Sequence, residues 1–139
     1  MKKAPVPSTE SKTPAKKRTH KQHLEEPFAV LNTKDTVLIT IDPDPDAIGS
    51  ALALKRLLWH KVQSVTIGII RPMRRLNNIT MVRLLNLPLV LLDKNQLQPF
   101  DKYAIVDGQP NHNEFFRQFN YDLVIDHHQI GRAHVCTPV

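Results

Sequence analysis

From Thr36 onward the apolar residues of this chain fall into short continuous runs, separated by stretches whose apolar positions recur at helical spacing. TVLITI (36–41) is rich in β-branched residues, the composition that a strand buried on both faces of a parallel sheet requires. AIGSALALKRLLWHK (47–61) predicts a helix, with Ile48, Ala51, Leu52, Ala53, Leu57 and Leu58 on one broad face and Lys55, Arg56 and Lys61 elsewhere. Asp46 is placed to cap that helix, because a carboxylate there meets free backbone N–H groups and the positive end of the dipole. SVTIGII (64–70) predicts a second strand, after which a basic, proline-broken turn, RPMRR, leads into a helix over 78–86. LVLL (89–92), YAIVD (103–107) and YDLVID (121–126) predict three more strands, with a helical piece near 112–119 before the last. Strands alternating with helices predict an α/β fold, a parallel sheet with flanking helices. Right-handed crossovers in such a sheet bring all strand C-terminal ends to one edge, where ligands bind.

Composition changes this picture mainly at the N-terminus. The 139 residues, 41% of them hydrophobic, suffice for one core. The formal charge of +6 is uneven: residues 1–26 hold seven Lys/Arg against three Glu, a net +4, which leaves +2 for the remainder. That segment has almost no large apolar side chains, so burial cannot offset the entropy of ordering it. Residues 1–30 are therefore expected to form a disordered basic tail. Charge alone lets such a tail touch nucleic acid weakly, but no aromatics interleave with the lysines, which favours a solvated tail. The opening MKK is not followed by an apolar run of signal-peptide length, and no stretch approaches a membrane span, so a cytoplasmic location without membrane partners is the expectation. The single cysteine, Cys136, excludes an internal disulfide and a multi-cysteine zinc site.

Candidate chemistry lies at three strand ends. DPDPD (42–46) follows the first strand, Asp107 closes the fourth, and DHH (126–128) follows the fifth, which lines up five carboxylates and two imidazoles along one rim. Like charges so close together repel unless something positive lies among them. Water in a loop can serve, with Asp44 or Asp46 as simple turn or capping residues, and so can metal ions. The set in register favours metal. Carboxylates joined by imidazole suit manganese, iron, cobalt or zinc better than calcium. Asp44 and Asp46 share one parity, so an extended turn sends both side chains the same way. Two ions about 3.5–4 Å apart would clamp a phosphoryl group, activate a water and stabilise the leaving oxygen. Without a plausible thiol nucleophile or a Gly-rich phosphate loop, water is the expected attacking group.

DPDPDAIGS, the VD at 106–107 and DHH at 126–128 resemble, in order and spacing, the first three motifs of the DHH phosphoesterase superfamily. The resemblance covers about residues 36–128 and implies that residues 31–129 are the N-terminal part of a DHH domain, incomplete here. It implies a two-metal phosphoesterase that uses manganese, with magnesium or cobalt as alternatives. Short oligonucleotides or cyclic dinucleotides, the substrates of the similar oligoribonuclease branch, are the expected class. By motif, Asp44 and Asp46 would each bind one ion, Asp107 would bridge them, and His127 would complete one site. His128 would contact substrate phosphate and Asp126 would orient the histidines, so Asp107, His127 and His128 form the implied catalytic set. Two departures accompany the match. The family's first motif has a histidine ligand where this chain has Thr40, and Asn and Gly where it has Asp42 and Pro45. A fourth metal-binding motif and a second, substrate-binding domain do not follow DHH; the last ten residues, IGRAHVCTPV, look instead like translated sequencing adapter, so residues 130–139 are expected to be non-native and the fragment inactive by itself.

Other residues read more plainly. Asp42 and Gly108 suit turns, His60 and His112 suit structural or surface positions, and Trp59 suits packing. Arg71, Arg74 and Arg75 lie near the rim in a basic turn. Three rival readings remain: a catalytically silent nucleotide-binding domain, favoured by Thr40; an aspartyl-phosphate enzyme of haloacid-dehalogenase type, which would give DHH no role; and a nucleic-acid binder acting through the tail.

Overall fold

β1 (Thr36–Ile41) is the centre of the molecule, with five of its six residues buried. In the computed structural model, which describes residues 19–95, 97–127 and 134–136, it pairs in parallel with β2 (Ser64–Ile69) on one side and β4 (Lys102–Val106) on the other. β3 (Leu89–Leu91) extends the sheet beyond β2, and β5 (Leu123–Asp126) extends it beyond β4. A sixth strand, β6 (His134–Cys136), runs antiparallel along β5, giving the order β3-β2-β1-β4-β5-β6. The fold is thus the expected α/β one, with five parallel strands. The antiparallel β6 falls in the segment read as non-native, where no strand was foreseen.

A strand covered on both faces is predominantly apolar, and β1 is apolar at all but Thr36 and Thr40. Val37, Ile39 and Ile41 face a core shared with Ala47, Ile48, Ala51, Leu54 and Leu58 of the following helix and cap, and with Ile67, Ile69, Ala104, Val106 and Leu123 of neighbouring strands. Each such side chain, fully buried, contributes about 1.5–3 kcal/mol, so this layer dominates stability. On the other face Ile105, Val124, Phe116 and Tyr121 form a smaller aromatic layer with Tyr103, Phe119 and Ile70.

The first helix after β1, α2 (Pro45–Leu57), begins two residues before the expected start and ends four before the expected end; α1 (His20–Glu25) precedes it near the N-terminus. Leu57 is 58% exposed and Ala53 is exposed too, so both leave the apolar face assigned to them, while Leu54 enters it. Trp59 is also 58% exposed, with Arg56 above its ring and His60 stacked beside it, and is not a packing residue. Leu58, between Leu57 and Trp59, is fully buried in the core, so those two lie on the outer side of the chain at this point. α3 (Leu76–Leu84) starts two residues earlier than expected. The helical piece foreseen near 112–119 is two 3-10 turns, Pro110–His112 and Phe116–Gln118.

Within the expected disordered tail, residues 19–30 are structured. Thr19 and Gln22 close a capping box on α1, and a 3-10 turn follows at Glu26–Phe28. Phe28 and Leu31 pack against the main core, the apolar anchor that a reading dominated by charge overlooked. The basic segment 1–18 lies outside the described residues. Among the described residues no helix is long and apolar enough to cross a membrane.

Candidate metal centre

Strand order reverses at β1: successive strands lead one way through β2 to β3, while β4 and β5 lie on the other side. The connections leaving β1 and β4 therefore diverge, and the crevice at such a switch point is where open α/β sheets bind ligands. DPDPD leaves β1 on one side of this crevice and Asp107 leaves β4 on the other.

Each aspartate of DPDPD has a protein environment of its own. Asp42 Oδ1 accepts from Arg71 Nε, from the turn after β2, with both side chains about half exposed. Asp44, not Asp46, is the N-cap of α2: its backbone is extended (φ −125°, ψ 166°) and its Oδ1 accepts from Ala47 N at 2.9 Å. Pro45 explains the shift, since a proline lacking N–H fits the first helical position and lets the helix start two residues earlier. Asp46 is exposed in the first turn, where the helix dipole favours it. The mutual repulsion in DPDPD is thus met by a guanidinium, a backbone N–H and a helix terminus.

The group that converges lies at the ends of β4 and β5. Asp107 has a left-handed backbone, φ 55°, and its N–H donates to Ile125 O at 2.8 Å, which ties the turn to β5. Aspartate tolerates that conformation better than most residues, and glycine follows as Gly108. The Asp107 side chain is only 5% exposed, and its Oδ1 lies 3.2 Å from His127 Nδ1. Asp126, buried as the last residue of β5, accepts at Oδ2 from Gln109 Nε2 at 2.8 Å. One ligand atom each from Asp107, Asp126 and His127 lie within 4.8 Å of one another.

Two carboxylates and an imidazole fit one divalent ion of the manganese-to-zinc series. Ligands bound side by side at 2.0–2.2 Å stand about 3 Å apart, and the 3.2 Å Asp107–His127 contact suits that arrangement as well as a simple ion pair. Asp126 enters as a member of the group rather than only as an orienting residue. Asp44 and Asp46 stand outside it, at the adjacent strand end, and His128 lies outside the described residues.

Thr40 is fully buried, and its Oγ1 lies 2.8 Å from the Tyr121 hydroxyl and 3.4 Å from Ala104 O. It is engaged in the aromatic layer and not at the rim. Arg74 and Arg75 are exposed, whereas Arg71 is committed to Asp42. His112 Nδ1 accepts from Gln109 N at 3.2 Å, a structural use, and His60 is exposed with a left-handed φ of 64°. Gln109 was not anticipated. Its contact with Asp126 spans 17 positions and follows only from the pairing of β4 with β5.

No protein-family model matches the chain, and no solved structure matches it. An uncharacterized protein of Methanocaldococcus jannaschii, MJ1633, is 32% identical over 94 residues, which cover 66% of this chain and 19% of that protein. The chain therefore spans about a fifth of the length of this curated relative.

Proposed function

We propose that this chain carries the metal-binding part of a phosphoester hydrolase, with manganese as the ion and a phosphodiester or phosphoanhydride as the bond cleaved. A short oligonucleotide or cyclic dinucleotide is the proposed substrate class. The observation that supports it is the convergence of Asp107, Asp126 and His127 beside the DPDPD loop at the switch point of the sheet. A divalent ion held there would supply charge against the developing oxyanion and make water nucleophilic at neutral pH. The chain's own residues contribute position. Asp107 and Asp126 are buried and tied to the strand ends, so little side-chain freedom remains to be lost on ligation. His127 is 57% exposed, so it stands at the edge of the group that a phosphate would approach. The exposed Arg74 and Arg75 add positive charge near the same rim and favour an anionic substrate.

The test is manganese-dependent hydrolysis of a dinucleotide and of a simple phosphodiester by a complete protein that carries this segment, and by its Asp107→Ala, Asp126→Ala and His127→Ala variants. Loss of turnover in all three, with folding retained, is expected; near-normal turnover in Asp107→Ala would sink the reading. A second reading, a silent nucleotide-binding domain, is favoured by Thr40, whose hydroxyl is taken up by Tyr121 and offers the rim no ligand. It predicts nucleotide binding without turnover at any manganese concentration. The aspartyl-phosphate reading gives His127 no role, and the His127–Asp107 contact weighs against it.

A further inference from the structure

Gln109 is two residues beyond Asp107 and heads the turn Pro110–His112. His112 N donates to Gln109 O at 3.0 Å, Gln109 N donates to His112 Nδ1 at 3.2 Å, and the Gln109 side chain meets the His112 backbone N–H in a capping box. Glutamine is not among the side chains favoured at such a cap, where Asn, Asp, Ser or Thr would serve. The longer glutamine amide also reaches across from the end of β4 to the end of β5, where Nε2 donates to Asp126 Oδ2 at 2.8 Å. An ionised carboxylate only accepts, so the nitrogen end of the amide must be the one that faces it.

We infer that Gln109 is a positioning residue for the metal group, fixing the rotation of the buried Asp126 carboxylate relative to Asp107 and His127. This rests on the metal reading of the site. A carboxylate with one oxygen held by a neutral donor keeps its full charge for a cation and loses its freedom to turn away. Outer partners of this kind commonly tune metal affinity. No motif singled out Gln109, because its role appears only when β4 and β5 are side by side.

Gln109→Asn is the discriminating variant. It keeps the amide and the backbone bonds of the turn, but its arm is one methylene too short for Asp126. Manganese affinity is read on the full chain from the loss of the free-ion paramagnetic resonance signal, with circular dichroism as the folding check. The wild-type protein should bind, Asp107→Ala should not, and Gln109→Asn should bind roughly 10- to 100-fold more weakly while folded. Equal affinity in wild-type and Gln109→Asn would overturn the role of Gln109 and leave the metal reading standing, as would a variant that only unfolds more easily. No binding by the wild-type protein would overturn both. If Gln109→Asn does not fold, the wild-type protein supplies the test: the side-chain amide resonances of Gln109 should shift on saturation with diamagnetic zinc, and unchanged resonances would overturn the inference.

Discussion

Thr40 Oγ1 and Tyr121 Oη stand 2.8 Å apart in the interior, joining the end of β1 to the segment that enters β5. Both residues are buried; Tyr121 Oη meets Thr40 Oγ1, which also lies 3.4 Å from Ala104 O. Thr40→Val should cost about 1–3 kcal/mol, because the buried Tyr121 hydroxyl loses its partner, and Tyr121→Phe should cost less, because Thr40 Oγ1 keeps Ala104 O. The double variant should cost clearly less than the sum of the two. Urea unfolding of the four proteins checks this; strict additivity would mean that the pair is not coupled.

The same phenol makes stability depend on alkaline pH. Burial pushes the Tyr121 hydroxyl well above its ordinary value, and the bond with Thr40 opposes that shift only in part. The unfolded chain gives up this proton near pH 10 while the folded protein keeps it. Stability from this group is thus fully present below about pH 10 and declines as pH rises beyond it. Tyr121→Phe should flatten that decline, measured as the urea midpoint from pH 8 to 11. An equally steep decline in the variant would assign it to other groups.

At the start of α2 two aspartates look alike in the sequence and differ in the structure. Asp44→Ala removes the N-cap bond to Ala47 and should cost roughly 0.5–2 kcal/mol. Asp46→Ala loses only an exposed charge near the helix terminus, on the order of 0.3–1 kcal/mol. A larger loss for Asp46→Ala in denaturant titration would reverse the assignment of the cap.

Gly68 in β2 has no room for a side chain. A methyl group added there would lie 2.6 Å from Cγ and both Cδ atoms of Leu92. Gly68→Ala should destabilise by about 1–3 kcal/mol through overpacking. Adding Leu92→Ala should restore part of that loss; if both variants simply add, the collision is not with Leu92.

The central strand was legible because it is buried on two faces: TVLITI is β-branched or apolar throughout, and its limits agree with β1. Helix limits were less legible. The start of α2 depends on which of two neighbouring aspartates caps it, a choice decided by Pro45, and its end at Leu57 falls inside an apolar run that continues to the buried Leu58. Of the candidate site, Asp107 and His127 could be aligned from strand ends. The pairing of Asp42 with Arg71 spans 29 positions, and that of Gln109 with Asp126 spans 17. Such contacts follow from strand order, and local spacing carries no trace of them.

That order also sets a timetable. β1 meets β2 across the short α2 crossover, but it meets β4 only when distant segments close, as in the contact of Thr36 with Asp101, 65 positions away. Each doubling of a closing loop costs about 0.6 kcal/mol in chain entropy, so the β1–β2 half gains its contacts at lower cost. Transition-state φ-values should accordingly be higher for Ile67 in β2 than for Ile105 in β4, and the opposite ranking would refute this sequence of events. A chain emerging from the ribosome would then hold its DPDPD loop for a time without Asp107 or Asp126 opposite, and the proposed cation site would be completed only as the second half of the sheet docks.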